Sequence, residues 1–148
     1  MKGLKVQKTW VLFVCVHNSA RSQIAEAYLN RLAGGSFGAE SAGIEPGALN
    51  PLVVEALKLD GIDISGNKTK SVFDFYRQGK KFDFVITVCE KEAAEKCPVF
   101  TGVTKQIRWS FADPSKFTGT DQEKLLKVSA LRNEIKGKIT EFIAKYGK

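Results

Sequence analysis

Trp10-Val11-Leu12-Phe13-Val14-Cys15-Val16 is an unbroken apolar run, and the polar stretch His17-Asn18-Ser19-Ala20-Arg21-Ser22 follows it directly. The run has the pattern of a strand buried on both faces, as in the interior of a parallel sheet. Beyond the polar loop a helix begins near Ser22. Ile24, Ala25, Ala27, Tyr28 and Leu32 recur at helical spacing, and Gly34-Gly35 ends the pattern. A second strand runs from Phe37 to Ala42, with Gly43 after it.

Working outward, Asn50-Pro51 opens the next helix, because Asn caps well and Pro fits the first helical position. Leu52, Val53, Ala56 and Leu57 form its apolar face and Gly61 stops it. Phe82 to Val88 reads as a third strand, Lys91 to Lys96 as one helical turn or a flexible loop, and Lys105 to Phe111 as a fourth strand ending at Asp113-Pro114. Thr120-Asp121-Gln122-Glu123 has the form of a capping box, and Leu125 to Ile143 mark one face of a final helix. Apolar strands alternating with amphipathic helices predict an α/β fold with a parallel sheet covered on both faces. In such sheets ligands bind outside the C-terminal ends of the strands, where Cys15, Cys89 and Asp113 all fall.

The chain has 148 residues, which suits one domain over 1–148. With 43% hydrophobic residues and 26% charged ones it can bury a core and is not a disordered chain. The formal charge of +7 invites anionic partners. Three cysteines do not make a secreted disulfide scaffold, and one histidine without a Cys-x-x-Cys pair does not make a zinc site, so no metal is expected. Val11 to Val16 is too short to span a membrane. Met1-Lys2-Gly3 and Lys5 faintly resemble a signal n-region, but the apolar part behind them is too brief. The expectation is a soluble cytoplasmic monomer. The lysines are scattered, with Lys80-Lys81 the only adjacent pair, and no basic and aromatic stripe suggests nucleic-acid binding.

The segment Cys15, Val16, His17, Asn18, Ser19, Ala20, Arg21, Ser22 is well built for a tetrahedral oxyanion. Amides at a helix start point at an anion, and the Arg21 guanidinium adds a charged fork. The same field favours the thiolate of Cys15, and Ser22 is placed to donate a hydrogen bond to it. A thiolate beside a bound oxyanion is a poised nucleophile. The loop has no glycine, which excludes a Walker phosphate loop.

Cys-x5-Arg-Ser followed by Gln-x-Ala-Glu resembles the low-molecular-weight protein tyrosine phosphatase fold and, within it, the arsenate reductases. Ser41-Ala42-Gly43-Ile44-Glu45, Gly61-Ile62-Asp63-Ile64-Ser65 and Phe111-Ala112-Asp113-Pro114 agree with further family segments in order. The resemblance implies a three-layer α/β/α fold with a four-stranded parallel sheet. It also implies that Asp113 is the general acid. Cys89 and Cys97 resemble the redox segment of thioredoxin-coupled arsenate reductases, and Ser115-Lys116 stand where phosphatases carry aromatic residues. The implied chemistry is attack of Cys15 on arsenate, then a relay through Cys89 and Cys97 that thioredoxin reduces, with no tightly bound cofactor. The alternative is a phosphatase hydrolysing phosphomonoesters through a Cys15 phosphocysteine.

Two features depart from the family pattern. Seven residues separate Cys89 from Cys97, one more than in bacterial relatives, and His17 stands where many relatives have Gly. His17 reads as a rim or packing residue. Asn18 is expected to hold the loop and to tolerate an unusual backbone angle. Glu26 and Ser41 match positions that, with Asn18, bind potassium in some family members. Lys70-Ser71 falls where those members have a further acidic ligand, which disfavours potassium and leaves Glu26 as a support for the loop.

Overall fold

The structure is a computed structural model and describes residues 7–100, 102–103 and 105–147. The faint n-region at Met1 to Lys5 lies outside the described residues, so a domain spanning 1–148 extends beyond them. The elements are β1 (Thr9–Cys15), α1 (Arg21–Ala33), β2 (Phe37–Gly43), α2 (Pro51–Leu59), α3 (Val72–Arg77), β3 (Phe84–Thr87), α4 (Lys91–Ala94), β4 (Lys105–Arg108), a 3-10 turn (Pro114–Lys116) and α5 (Asp121–Tyr146). The four strands pair in parallel in the order β2-β1-β3-β4. This is the expected α/β fold with a four-stranded parallel sheet.

Alternate residues of β1 feed two apolar clusters. Val11, Phe13 and Cys15 join Ile24, Leu29, Leu57, Ile135 and Ile139 in the larger one, against α1, α2 and α5. Leu12 and Val14 join Val72, Phe75, Phe82 and Phe100 in the smaller one, against α3. The unbroken apolar run is the direct result, since both faces of the strand are covered. Among the described residues, no helix is long and apolar enough to cross a membrane.

Local chemistry sets the helix ends as the sequence predicts. The Asn50 side chain accepts from the amides of Leu52 and Val53, and Pro51 takes the first helical position. Thr120 and Glu123 form a reciprocal capping box at the start of α5. Two strands are shorter than the sequence suggests. The third keeps only Phe84–Thr87 of the expected Phe82 to Val88, because Phe82 turns into the smaller cluster and Asp83 closes the sheet end. Trp10 N–H donates to the Asp83 carboxylate at 2.8 Å. The fourth keeps Lys105–Arg108 of the expected Lys105 to Phe111. Its neighbour β3 ends at Thr87, whose carbonyl accepts from Trp109 N–H, and Trp109 and Phe111 then fold inward onto the larger cluster. The fourth strand is also an exposed edge, not a strand covered on both faces.

Candidate active site

The site lies at the C-terminal end of β1. The carbonyls of Cys15, Val16, His17 and Ser19 accept from the amides of Ile44, Glu45, Gly47 and Asn50 in turn. The loop is thus stitched along its outer edge to the segment after β2. The amides of His17, Ser19 and Ala20 meet no protein acceptor among the described residues, which leaves them available to an anion. Gly43 makes the stitching possible. A Cβ there would stand 2.8 Å from the Val16 carbonyl oxygen and 2.9 Å from Asn18 N, too close for any other residue.

Asn18 is fully buried and has φ 55°, the one non-glycine residue with positive φ among those described. Asn tolerates this left-handed angle better than most residues. Its Oδ1 accepts from Lys70 N–H at 3.0 Å and from Gln23 Nε2 at 3.2 Å. A backbone amide can only donate, so the facing atom is oxygen and the amide orientation is settled by chemistry. Nδ2 then donates to Ser22 Oγ at 2.8 Å and to Ser41 Oγ at 2.9 Å. Each hydroxyl, having accepted, is free to donate onward. Ser41 donates to Glu26. Ser22 Oγ lies 2.9 Å from Cys15 Sγ, within reach to donate to the sulfur once Cys15 is a thiolate. The Asn18 amide donates to the same sulfur at 3.2 Å. One amide donor and a hydroxyl converging on one sulfur is an arrangement suited to a thiolate.

The carboxylate of Glu26 is pushed up by burial, against the lowering effects of Ser41 and Lys70. The Lys70 ammonium stands 3.8 Å from it. These residues do not fit a potassium ion. Asn18 Oδ1 is already shared by two donors, Ser41 is committed on both sides, and a resident ammonium faces Glu26. Among the described residues there is also no cluster of three or more His, Cys, Asp or Glu side chains able to hold a metal.

Arg21 is 3% exposed. Its Nη1 donates to Glu90 Oε1 at 3.1 Å and to the Phe111 carbonyl at 3.3 Å, and Nη2 stands 3.8 Å from Asp113 Oδ2. Asp113 therefore joins the loop through the same guanidinium. Burial raises Asp113, but hydrogen bonds from the Ser115 hydroxyl and amide and the nearby charges of Arg21 and Lys116 outweigh it, holding the carboxyl below the usual range. Its Oδ1 accepts from Ser115 N–H at 2.9 Å and Ser115 Oγ at 2.8 Å.

All three cysteines are unpaired. Cys89 is buried in the larger cluster with Cys15, while Cys97 packs against the smaller one. Burial first, and the charge of Cys15 second, push Cys89 up to about 11. Burial, with the charge of Cys89, pushes Cys97 up to about 12. Between the two later cysteines the chain makes the single turn α4, one of the two alternatives read from the sequence. A cavity of about 460 Å³ opens beside it, lined by Thr87, Lys91, Cys97 and Arg108 among others.

The structure thus gathers Cys15 to Ser22, Asp113, Glu26 and Ser41 around one loop and buries Cys89 in the same cluster as Cys15, while Cys97, past the turn of α4, packs against the smaller cluster. His17 is exposed on the rim, with Nδ1 2.8 Å from the Glu45 carbonyl. Sequence reasoning gave Glu90 no role, and it named Gln23 and Gly43 only as parts of family segments, without the contacts they make. Glu90 carried one usable signal, its place directly after Cys89 at a strand end, but its partner is 69 residues away.

A sequence profile of the low molecular weight phosphotyrosine protein phosphatase family matches residues 10–146. An arsenate reductase of Bacillus subtilis (strain 168) is 40% identical over 132 residues, covering 89% of this chain and 93% of that protein. A solved arsenate reductase in a phosphate-binding state has a TM-score of 0.72 at 28% identity, covering 93% of this chain and 98% of that one. A thioredoxin-dependent arsenate reductase of Corynebacterium glutamicum has a TM-score of 0.63 at 31% identity, covering 93% of this chain and 64% of that one.

Proposed function

The chain belongs to the low molecular weight phosphotyrosine protein phosphatase family, and on that premise we propose that it is a cytoplasmic, monomeric arsenate reductase, one domain over 1–148, drawing electrons from thioredoxin. The observation that carries this reading is two further unpaired cysteines after β3, Cys89 buried in the same cluster as Cys15 and Cys97 beyond the turn of α4. Hydrolysis of a phosphoester needs neither of them.

Arsenate has the shape and charge of phosphate, and the loop amides with Arg21 bind it. The Cys15 sulfur attacks arsenic, an As–O bond breaks, and Asp113 protonates the departing oxygen, which leaves as water. In the resting site Asp113 is held ionised. A bound oxyanion that draws off the charge of Arg21 raises it, so the substrate itself prepares the acid. Arg21 and the amides hold the negative charge that develops. Cys89 then attacks Cys15 Sγ, and the S–As electron pair passes to arsenic. Arsenic falls from the +5 to the +3 state and leaves as arsenite, with Cys15 and Cys89 joined. Cys97 attacks Cys89 and frees Cys15. The Cys89–Cys97 disulfide accepts two electrons from the dithiol of thioredoxin.

The raised thiols of Cys89 and Cys97 support a relay that is idle at rest, because the attacking species is the thiolate. The cavity beside Cys97 supports approach of the donor from that side. Three unpaired thiols suit a reducing compartment.

The test supplies arsenate, thioredoxin, thioredoxin reductase and NADPH, and follows NADPH loss. Arsenate-dependent turnover is expected. Cys89→Ser and Cys97→Ser should abolish multiple turnovers while leaving phosphate binding intact. Phosphomonoester hydrolysis that needs Cys15 but not Cys89, with no arsenate-dependent NADPH loss, overturns the reading in favour of a phosphatase.

A further inference from the structure

The cation at the centre of the oxyanion loop is already engaged by a carboxylate of the chain itself. Glu90 Oε1 accepts from Arg21 Nη1 at 3.1 Å, and the second N–H of Nη1 goes to the Phe111 carbonyl. Both hydrogens of Nη1 are therefore taken while Glu90 stays in place, and Nε and Nη2 alone are left to a ligand. Glu90 follows Cys89 directly and occupies the N-cap position of α4, yet its side chain does not cap that helix. It reaches across to the loop instead.

This pair is the single polar side-chain tie between residues 89–97 and the rest of the described protein. The backbone hydrogen bonds of Ala94, Glu95, Lys96 and Cys97 all stay inside the segment, and the Cys97 thiol faces the carbonyl of its own neighbour Pro98. A one-turn helix without outside hydrogen bonds has little stability of its own. What holds it is Glu90, together with the apolar contacts of the two cysteines and of Ala93 and Ala94.

Of the two carboxylates on Arg21, Glu90 is the one that can leave. Asp113 is fixed by two hydrogen bonds from Ser115 and lies 3.8 Å from the guanidinium. The Glu90 side chain is 46% exposed and has no other side-chain partner, so it can swing into water. An incoming tetrahedral oxyanion competes for the same charge and repels the carboxylate.

We propose that Glu90 is a positioning residue that acts as a latch: it occupies Arg21 in the empty site, an oxyanion displaces it, and its release frees the segment carrying Cys89 and Cys97 to move. The segment is thereby freed only when the oxyanion loop is filled. The inference rests on the reductase reading for its purpose, while the latch itself needs only an oxyanion. Coupling of this kind is reciprocal: the factor by which an oxyanion loosens the segment is the factor by which the latch weakens oxyanion binding.

Inorganic phosphate tests this without any redox chemistry. In the wild-type chain, saturating phosphate should speed amide hydrogen exchange across residues 90–97 while leaving β1 and α5 protected. In Glu90→Gln the same amides should exchange fast without phosphate and change little when it is added. Phosphate should bind that variant about five-fold more tightly, or better, by calorimetry. Phosphate that slows or does not alter exchange of 90–97 in the wild-type chain overturns the latch, and this measurement does not depend on the variant folding. A Glu90→Gln protein with parental exchange, or with parental phosphate affinity, overturns it as well. Failure of arsenate turnover would strike the reductase reading and leave these outcomes as they are. An active reductase with phosphate-insensitive exchange would do the reverse.

Discussion

Asn18 joins the nucleophile loop to the strand beside it, since its amide alone orders Ser22, Ser41, Gln23 and the backbone of Lys70. Asn18→Ala leaves buried groups unpaired and puts alanine at φ 55°, so urea unfolding should show a loss of about 3 kcal/mol. Ser22→Ala removes a hydroxyl partner of Cys15 Sγ and the acceptor of one Asn18 N–H, and single-turnover arsenate consumption by the folded variant should slow by about 100-fold. The thiols give a test in pH. Burial is the largest cause of the raised Cys97 pKa and persists when the other two cysteines are replaced by serine. A raised thiol pKa means a small thiolate fraction at neutral pH that grows as pH rises. Iodoacetamide labelling of Cys97 in that double variant should therefore accelerate about tenfold per pH unit from pH 7 to 10. An ordinary thiol would level off near pH 9, and a plateau there would refute the shift.

At the scale of elements, helix ends depend on residues close in sequence, whereas strand ends depend on residues far away. Thr120 and Glu123 announce α5 because both halves of the capping box lie within one turn. Thr120→Ala should lower the unfolding free energy by about 1 kcal/mol in the same urea assay. Asn50-Pro51 announces α2 for the same reason. The run from Trp10 to Val16 is legible as β1 because it is covered on both faces. By contrast, the end of β4 is set by where β3 stops and by Trp109 and Phe111 turning into the core, and nothing near Arg108 signals either. The six residues of α3 are too few for a helical period to show. The site follows the same division. Asn18, Arg21 and Ser22 sit in one short loop and can be read together. Glu90 sits in a stretch of mixed charge, and its meaning comes from a guanidinium that only the folded sheet brings to it.

For the molecule as a whole, the net charge of +7 explains less than the placement of a few cations. Arg21 is at the loop and Lys70 faces Glu26, where a monovalent ion would otherwise be sought. Arsenate turnover should accordingly run at the same rate in potassium as in sodium at fixed ionic strength, and a several-fold preference for potassium would contradict the role given to Lys70. The order β2-β1-β3-β4 also has a consequence in time. Strand β1 lies between its neighbour in sequence and a strand from the middle of the chain, and the pair Trp10 and Asp83 at the sheet end are 73 residues apart. At typical rates of synthesis, β3 leaves the ribosome on the order of 4–15 s after β1. For that interval Cys15 is a thiol in an incomplete sheet. The wall that will hold Cys89, and the acidic residue that will occupy Arg21, do not yet exist. The chain order that brings Cys15 and Cys89 together in the finished protein also keeps the two thiols apart while the chain is being made.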